Sequence, residues 1–152
     1  MNPDLEAKLA AALKECALHS EILAEDLVEH GKPDYRAENV ELIGKAELRL
    51  LDQMAYRFTK LQATLGEQVL PLLLERAEEP IAPEAPFAQK LQRLERIEII
   101  PSADQWRELR VARNAIAHEY PDAPELKAAA LNHFVKSVGK LLEFWNHVVD
   151  QG

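Results

Sequence analysis

Cysteine is nearly absent from the 152-residue chain: Cys16 stands alone. A single thiol excludes an intramolecular disulfide and any multi-thiolate zinc site, and it fits a reducing cytosol. Glycine is scarce as well. Gly31, Gly44, Gly66, Gly139 and Gly152 never cluster, which excludes a Walker loop and a GxGxxG dinucleotide turn. No apolar run approaches the ~20 residues of a membrane span. The opening Met-Asn-Pro-Asp-Leu-Glu lacks the basic and apolar regions of a secretory signal. A cytoplasmic protein without membrane contact is therefore expected. Bases are outnumbered, 18 Lys+Arg against 26 Asp+Glu, for a net charge of −8. That balance disfavours a broadly basic nucleic-acid binder but leaves room for a local basic patch.

Apolar residues make up 47% of the chain and charged residues 29%, the balance of a globular protein. The length suits one domain, residues 1–152, with a core that needs no disulfide or metal. Charge is unevenly spread. Residues 1–41 carry ten acids and four bases, whereas Lys90 to Arg113 carries six bases and four acids. Such runs read either as solvated helix faces or as an acidic helix packed away from a site that faces an anion.

Hydrophobic spacing predicts helices throughout. The first runs from about Asp4 to His30, with Pro3 in its first turn and Gly31 just past its end. Its stripe is Leu9, Leu13, Cys16, Ser20, Leu23 and Leu27. A second helical stretch is expected from near Ala37, with Val40, Gly44, Glu47, Leu51, Met54, Phe58, Leu61 and Leu65 in line. Glu47 interrupts that apolar row, at a bundle end or facing a cleft. Pro71 is expected to kink or end the stretch. Pro80, Pro83 and Pro86 mark a loop, followed by a short helix from about Phe87 to Arg96. Ser102 with Gln105 forms a capping box that opens the next helix, which should stop near Tyr120 because Pro121 follows. Asp122 with Glu125 offers a last capping box, before a helix with Leu131, Phe134, Val138, Leu141, Trp145 and Val148 in three-four alternation. The fold class expected is all-α, an up-and-down antiparallel bundle of four to five main helices.

The segment from Arg107 to Tyr120 is the most informative. At about 100° per residue, Leu109, Ala112 and Ile116 share one face, with Trp106 at its edge. Arg107, Arg110, Asn114 and His118 share the opposite face, and Asn114 and His118, four apart, can touch one ligand. Arg113 lies about 140° around from His118 and reaches the same cleft only with its long stem. Such a face suits a phosphate. Arginine offers a planar donor fork, asparagine a neutral donor and acceptor, and histidine a proton that moves near neutral pH. The same residues also fit plain surface pairing of the arginines with Glu108 or Glu119.

Arg113, His118 and Tyr120 spell R-x4-H-x-Y, in the form Arg-Asn-x-x-x-His-Glu-Tyr. In this the chain resembles the HEPN domains, specifically the HepT-like toxins. The resemblance rests on about eight residues, together with the helical pattern and the motif's place near the end of the penultimate helix. It implies a metal-independent endoribonuclease toxin that needs no cofactor. Arg113 and His118 would form the active site, with Asn114 orienting the His118 ring or the phosphate. Arg110 and Arg107, from the face described above, would contact RNA phosphate. The resemblance further implies a homodimer with two motifs at one cleft and a minimal nucleotidyltransferase antitoxin as partner. Tyr120 would be the residue that the partner adenylylates.

A second reading, also implied by the resemblance, is a non-catalytic subunit that binds a nucleotide or substrate for the nucleotidyltransferase. A third is a plain structural bundle. Elsewhere the residues read as packing: His19, His30, His133 and His147 lack ligand spacing, Cys16 lies on an apolar stripe, and Trp106 and Trp145 read as core. Glu47 and Asp52 are weaker candidates for a carboxylate supporting the cleft.

Overall fold

The computed structural model describes residues 2–116 and 123–151. Six helices account for most of them: α1 (Pro3–His30), α2 (Lys45–Thr64), α3 (Leu70–Arg76), α4 (Phe87–Arg96), α5 (Ala103–Ile116) and α6 (Pro124–Gln151). No strand occurs among the described residues. Local chemistry sets most of the boundaries. The Asn2 side chain accepts from the Asp4 and Leu5 N–H groups at the start of α1. Gly31 ends that helix at φ +75°, a left-handed geometry that costs glycine nothing. Ser102 Oγ accepts from the Gln105 N–H at 3.2 Å and opens α5, as the capping box predicts.

Directions follow from which residues meet. Gln53, Arg57 and Thr64 of α2 bond Asp26, His19 and Glu15 of α1 respectively, so the two helices run antiparallel. Gln62 meets Arg113 while Gly66 meets Trp106, so α5 opposes α2. Trp106 packs on Phe144 and Glu108 lies near Lys140, so α6 opposes α5. The result is the expected all-α up-and-down bundle, with α4 in the connection that leads to α5. Its core is continuous. Leu9, Cys16 and Leu23 of α1, Met54 and Phe58 of α2, and Val138 and Val148 of α6 are all essentially buried. Phe58 meets Phe134 edge-on at 5.7 Å, a pairing worth about 0.5–1.5 kcal/mol beyond the burial itself. Burial also pushes the Cys16 thiol up to about 12, so this residue is packing rather than a nucleophile.

Two boundaries differ from expectation. The second helix starts at Lys45, not near Ala37. Val40–Leu42 forms a short 3-10 turn instead, and Ile43 and Gly44 are extended. Asn39 accounts for this. Its side chain accepts from the Arg36 N–H and donates to the Asp34 carbonyl, holding the chain in a loop. Pro71 does not end its stretch, which runs on to Arg76. Ahead of it, Leu65–Val69 forms one π turn, and the Leu70 N–H donates to the Leu65 carbonyl. The wider turn absorbs an extra residue and lets the helix continue through a proline that has no N–H to give.

Glu47 stands where it can receive a proton donor. The Tyr35 hydroxyl donates to its Oε2 at 2.7 Å, so the same hydroxyl must accept from His30 Nε2, 2.6 Å away. His30 Nδ1 is thereby the bare nitrogen, buried without a partner. On α1, His19 Nδ1 accepts from the Arg57 guanidinium at 3.0 Å, which fixes the same tautomer. Burial holds both imidazoles below the ordinary histidine value. The neighbouring Arg57 adds to this at His19, and Glu47 opposes it at His30. The unfolded chain therefore binds more protons at these sites. Their contribution to stability is complete above the unfolded value of about 6.5 and is lost as pH falls below it. Thermal melts should show a lower midpoint at pH 5.5 than at pH 7.5. In His30→Gln, which keeps an N–H for Tyr35, that difference should narrow; an unchanged difference would exclude His30 as a source.

Candidate functional site

The cleft that carries the sequence motif's first arginine lies between α5 and the α2–α3 rod. Leu109, Ala112 and Trp106 are buried and seat α5 in the core, as their spacing predicts. Arg107, Arg110 and Asn114 are exposed, and Arg113 is half-buried. Arg110 and Arg113 line one cavity of about 340 Å³, opposite Gln62 and Glu67, with Trp106 and Phe87 among its apolar walls.

Arg113 is held by a neutral partner. Its Nη1 donates to Gln62 Oε1 at 3.1 Å, and Gln62 is only 2% exposed. An amide fixes the guanidinium without cancelling its charge, so the remaining donors of the fork stay available to an anion. Arg110 makes no ion pair among the described residues. The charged residues lining the cleft are Arg110, Arg113 and Glu67, a local excess of one positive charge on a chain of net −8. The cleft can therefore attract an anion despite the acidic chain around it.

The π turn builds the opposite wall. On an unbroken α-helix, Gln62 and Glu67 would stand about 140° apart. The extra residue in the turn brings both to the cleft. Gly66 sits in the same turn, where a Cβ would come within 2.5 Å of the Trp106 ring. Only glycine lets the indole pack this close to the helix backbone, and that approach sets the cleft floor.

Among the residues singled out from the sequence, Arg110 and Arg113 come together. They are three apart on α5, and Gln62 holds Arg113 in the cleft. Arg107 stands outside, its Nη1 2.7 Å from Asp104 Oδ1 in an exposed i,i+3 pair, and it does not line the cleft. Glu108, a potential mate for the arginines, lies instead 4.0 Å from Lys140 Nζ. Asn114 is exposed on the same helix but does not line the cavity. His118 and Tyr120 lie outside the described residues, as do Pro121 and Asp122 of the expected helix break. Glu47 is engaged with Tyr35, and Asp52 is exposed; neither lines the cleft.

Gln62, Gly66 and Glu67 were not legible as site residues. A signal for them exists in the apolar spacing. Leu61, Leu65, Val69 and Leu73 follow at four, four and four, where an α-helical stripe would return to three. Each step of four over-rotates an α-helix by about 40°, and a wider turn lets the stripe stay on one face.

No helix among the described residues is long and apolar enough to cross a membrane, and no group of three or more histidine, cysteine or acidic side chains among them converges to hold a metal ion. No protein-family model, curated protein or solved structure matches the chain.

Proposed function

We propose that this chain is a HepT-like HEPN-domain toxin, a metal-independent endoribonuclease controlled by a nucleotidyltransferase antitoxin. One observation carries the reading. Arg113, the first residue of the R-x4-H-x-Y signature, is anchored in a cleft by a buried neutral amide and shares that cleft with Arg110. A structural arginine is more simply satisfied by a carboxylate, as Arg107 is by Asp104.

The chemistry follows from the motif. A ribose 2′-hydroxyl attacks the adjacent phosphorus. The new O2′–P bond forms, the P–O5′ bond breaks, and the products are a 2′,3′-cyclic phosphate and a 5′-hydroxyl. His118 moves a proton as general base or acid. Arg113 stabilises charge on the non-bridging phosphate oxygens. Asn114, one helical turn before His118 in sequence, orients the imidazole or the phosphate. Two protons must move, one from O2′ and one to O5′. A homodimer that brings two His118 residues to one cleft supplies both partners and pools their arginines.

Control acts on Tyr120. Its hydroxyl attacks the α-phosphorus of ATP in the partner, pyrophosphate leaves, and an AMP group stays on the tyrosine. The added phosphate occupies the arginines and repels RNA. Expression of the chain alone should arrest growth. Co-expression with the nucleotidyltransferase should relieve the arrest, with an AMP adduct on Tyr120 by mass spectrometry. Adducts only at other residues would reject this site. Growth indifferent to the unmodified chain would favour the non-catalytic partner subunit.

A further inference from the structure

We infer that the cleft beside Arg113 is a base-selective subsite that takes one guanine nucleotide of the RNA. The inference rests on the ribonuclease reading for its biological setting, but the groups that choose the base, Gln62 and Glu67, lie outside the sequence motif.

Size comes first. A cavity of about 340 Å³ lies at the small end of the ~300–1,000 Å³ range of ligand pockets, enough for one base and its sugar. Its construction is amphipathic. Phe87 and Pro71 supply half-buried apolar surface for a base, while Arg110 and Arg113 supply cations for its phosphates. Single-stranded RNA is read in this way, by stacking on an aromatic side chain and hydrogen bonding along the exposed Watson–Crick edge.

The polar groups facing the arginines choose the base. Glu67 is a carboxylate and can only accept. Arg113 has no acceptor, so its bond to Gln62 Oε1 fixes the amide orientation and leaves Gln62 Nε2 as a donor. That amide nitrogen makes no hydrogen bond among the described residues. The cleft therefore offers two acceptor oxygens from Glu67 and a donor from Gln62. Guanine alone presents the complement: N1–H and N2–H₂ side by side for a carboxylate, and O6 for an amide donor. Adenine and cytosine each set a ring acceptor beside their amino group, which the carboxylate repels. Uracil offers one N–H between two carbonyls. A site built of matched hydrogen bonds rejects a base that leaves its groups unpaired.

The π turn has a role in this account. It brings Glu67 round to the side of Gln62, and Gly66 within it lets Trp106 form the floor.

The test is equilibrium binding of GMP, AMP, CMP and UMP to the intact protein, followed by NMR or calorimetry in EDTA. Wild type should bind GMP at least about tenfold more tightly than the other three, the scale of a good bidentate base contact. Glu67→Gln, isosteric and on an exposed position, should bring the four affinities together. Arg110→Ala should weaken all four nucleotides and leave guanosine, which has no phosphate, unaffected. Equal affinities in wild type, a GMP preference that survives Glu67→Gln, or no saturable GMP binding at millimolar concentration would each overturn the inference. The two readings fail separately. Selective GMP binding without RNA cleavage would sink the nuclease and keep the subsite. RNA cleavage with no GMP preference would sink the subsite and keep the nuclease.

Discussion

His118→Ala is expected to abolish RNA cleavage while the folded dimer persists. General acid–base catalysis by a positioned side chain contributes about 10²–10⁴-fold. In the proposed mechanism the same residue, from two protomers, both removes the O2′ proton and supplies the O5′ proton. Loss of His118 therefore removes both halves at once, and the effect should lie at the upper end of that range. The other four histidines cannot substitute. His19 and His30 are buried with their tautomers fixed by Arg57 and Tyr35. His147 Nε2 lies 3.1 Å from the Glu98 carbonyl, and neither it nor His133 lines the cleft. Cleavage assays with circular dichroism and light scattering on the same samples separate lost chemistry from lost fold. Full activity in the variant would remove His118 from the mechanism.

Arg113→Ala should lower kcat about 10²–10³-fold, the scale for losing one preorganised group that stabilises developing oxyanion charge. Arg113→Lys should recover only part of this, because an ammonium keeps the charge but not the planar fork. The more revealing variant is Gln62→Glu. It preserves shape and strengthens the contact at Gln62 Oε1, so a purely structural tether would tolerate it. Here it places a negative charge 3.1 Å from the guanidinium and quenches the field that phosphate needs. The expected result is unchanged or raised thermal stability with reduced cleavage. Undiminished cleavage in Gln62→Glu would show that the neutrality of this partner is irrelevant.

Helix order was legible in the sequence because the determinants were local. Gly31, Ser102 and the Pro80–Pro86 cluster punctuate the chain, and three-four alternation marks the buried stripes of α1 and α6. What failed was also local but read at too short a range. The start of α2 depended on Asn39, whose side chain bonds Arg36 and Asp34 and competes with helix. Pro71 was expected to kink or end its stretch, yet the helix runs on to Arg76, because a proline's missing N–H says nothing of a π turn placed before it.

The cleft was half legible. Arg110 and Arg113 announced themselves by charge on a helix face, and Arg113 by its motif. Their partners did not. Gln62 is a polar residue on an apolar helix whose burial becomes visible only when α5 lies across it. Gly66 carries no chemistry of its own and matters through the Trp106 ring, forty residues away in sequence. Arg107 was grouped with the site on helical phase alone, yet Asp104 lies one turn back and holds it. Phase places a side chain on a face; which group it meets there depends on contacts that spacing does not encode.

The most direct test of the central claim is the end chemistry of RNA incubated with purified, unmodified protein in EDTA, beside His118→Ala. The account predicts that wild type cleaves, leaving 2′,3′-cyclic phosphate and 5′-hydroxyl ends, and that the variant does not. Intact RNA with wild type, cleavage that the chelator stops, or 3′-hydroxyl ends would contradict it.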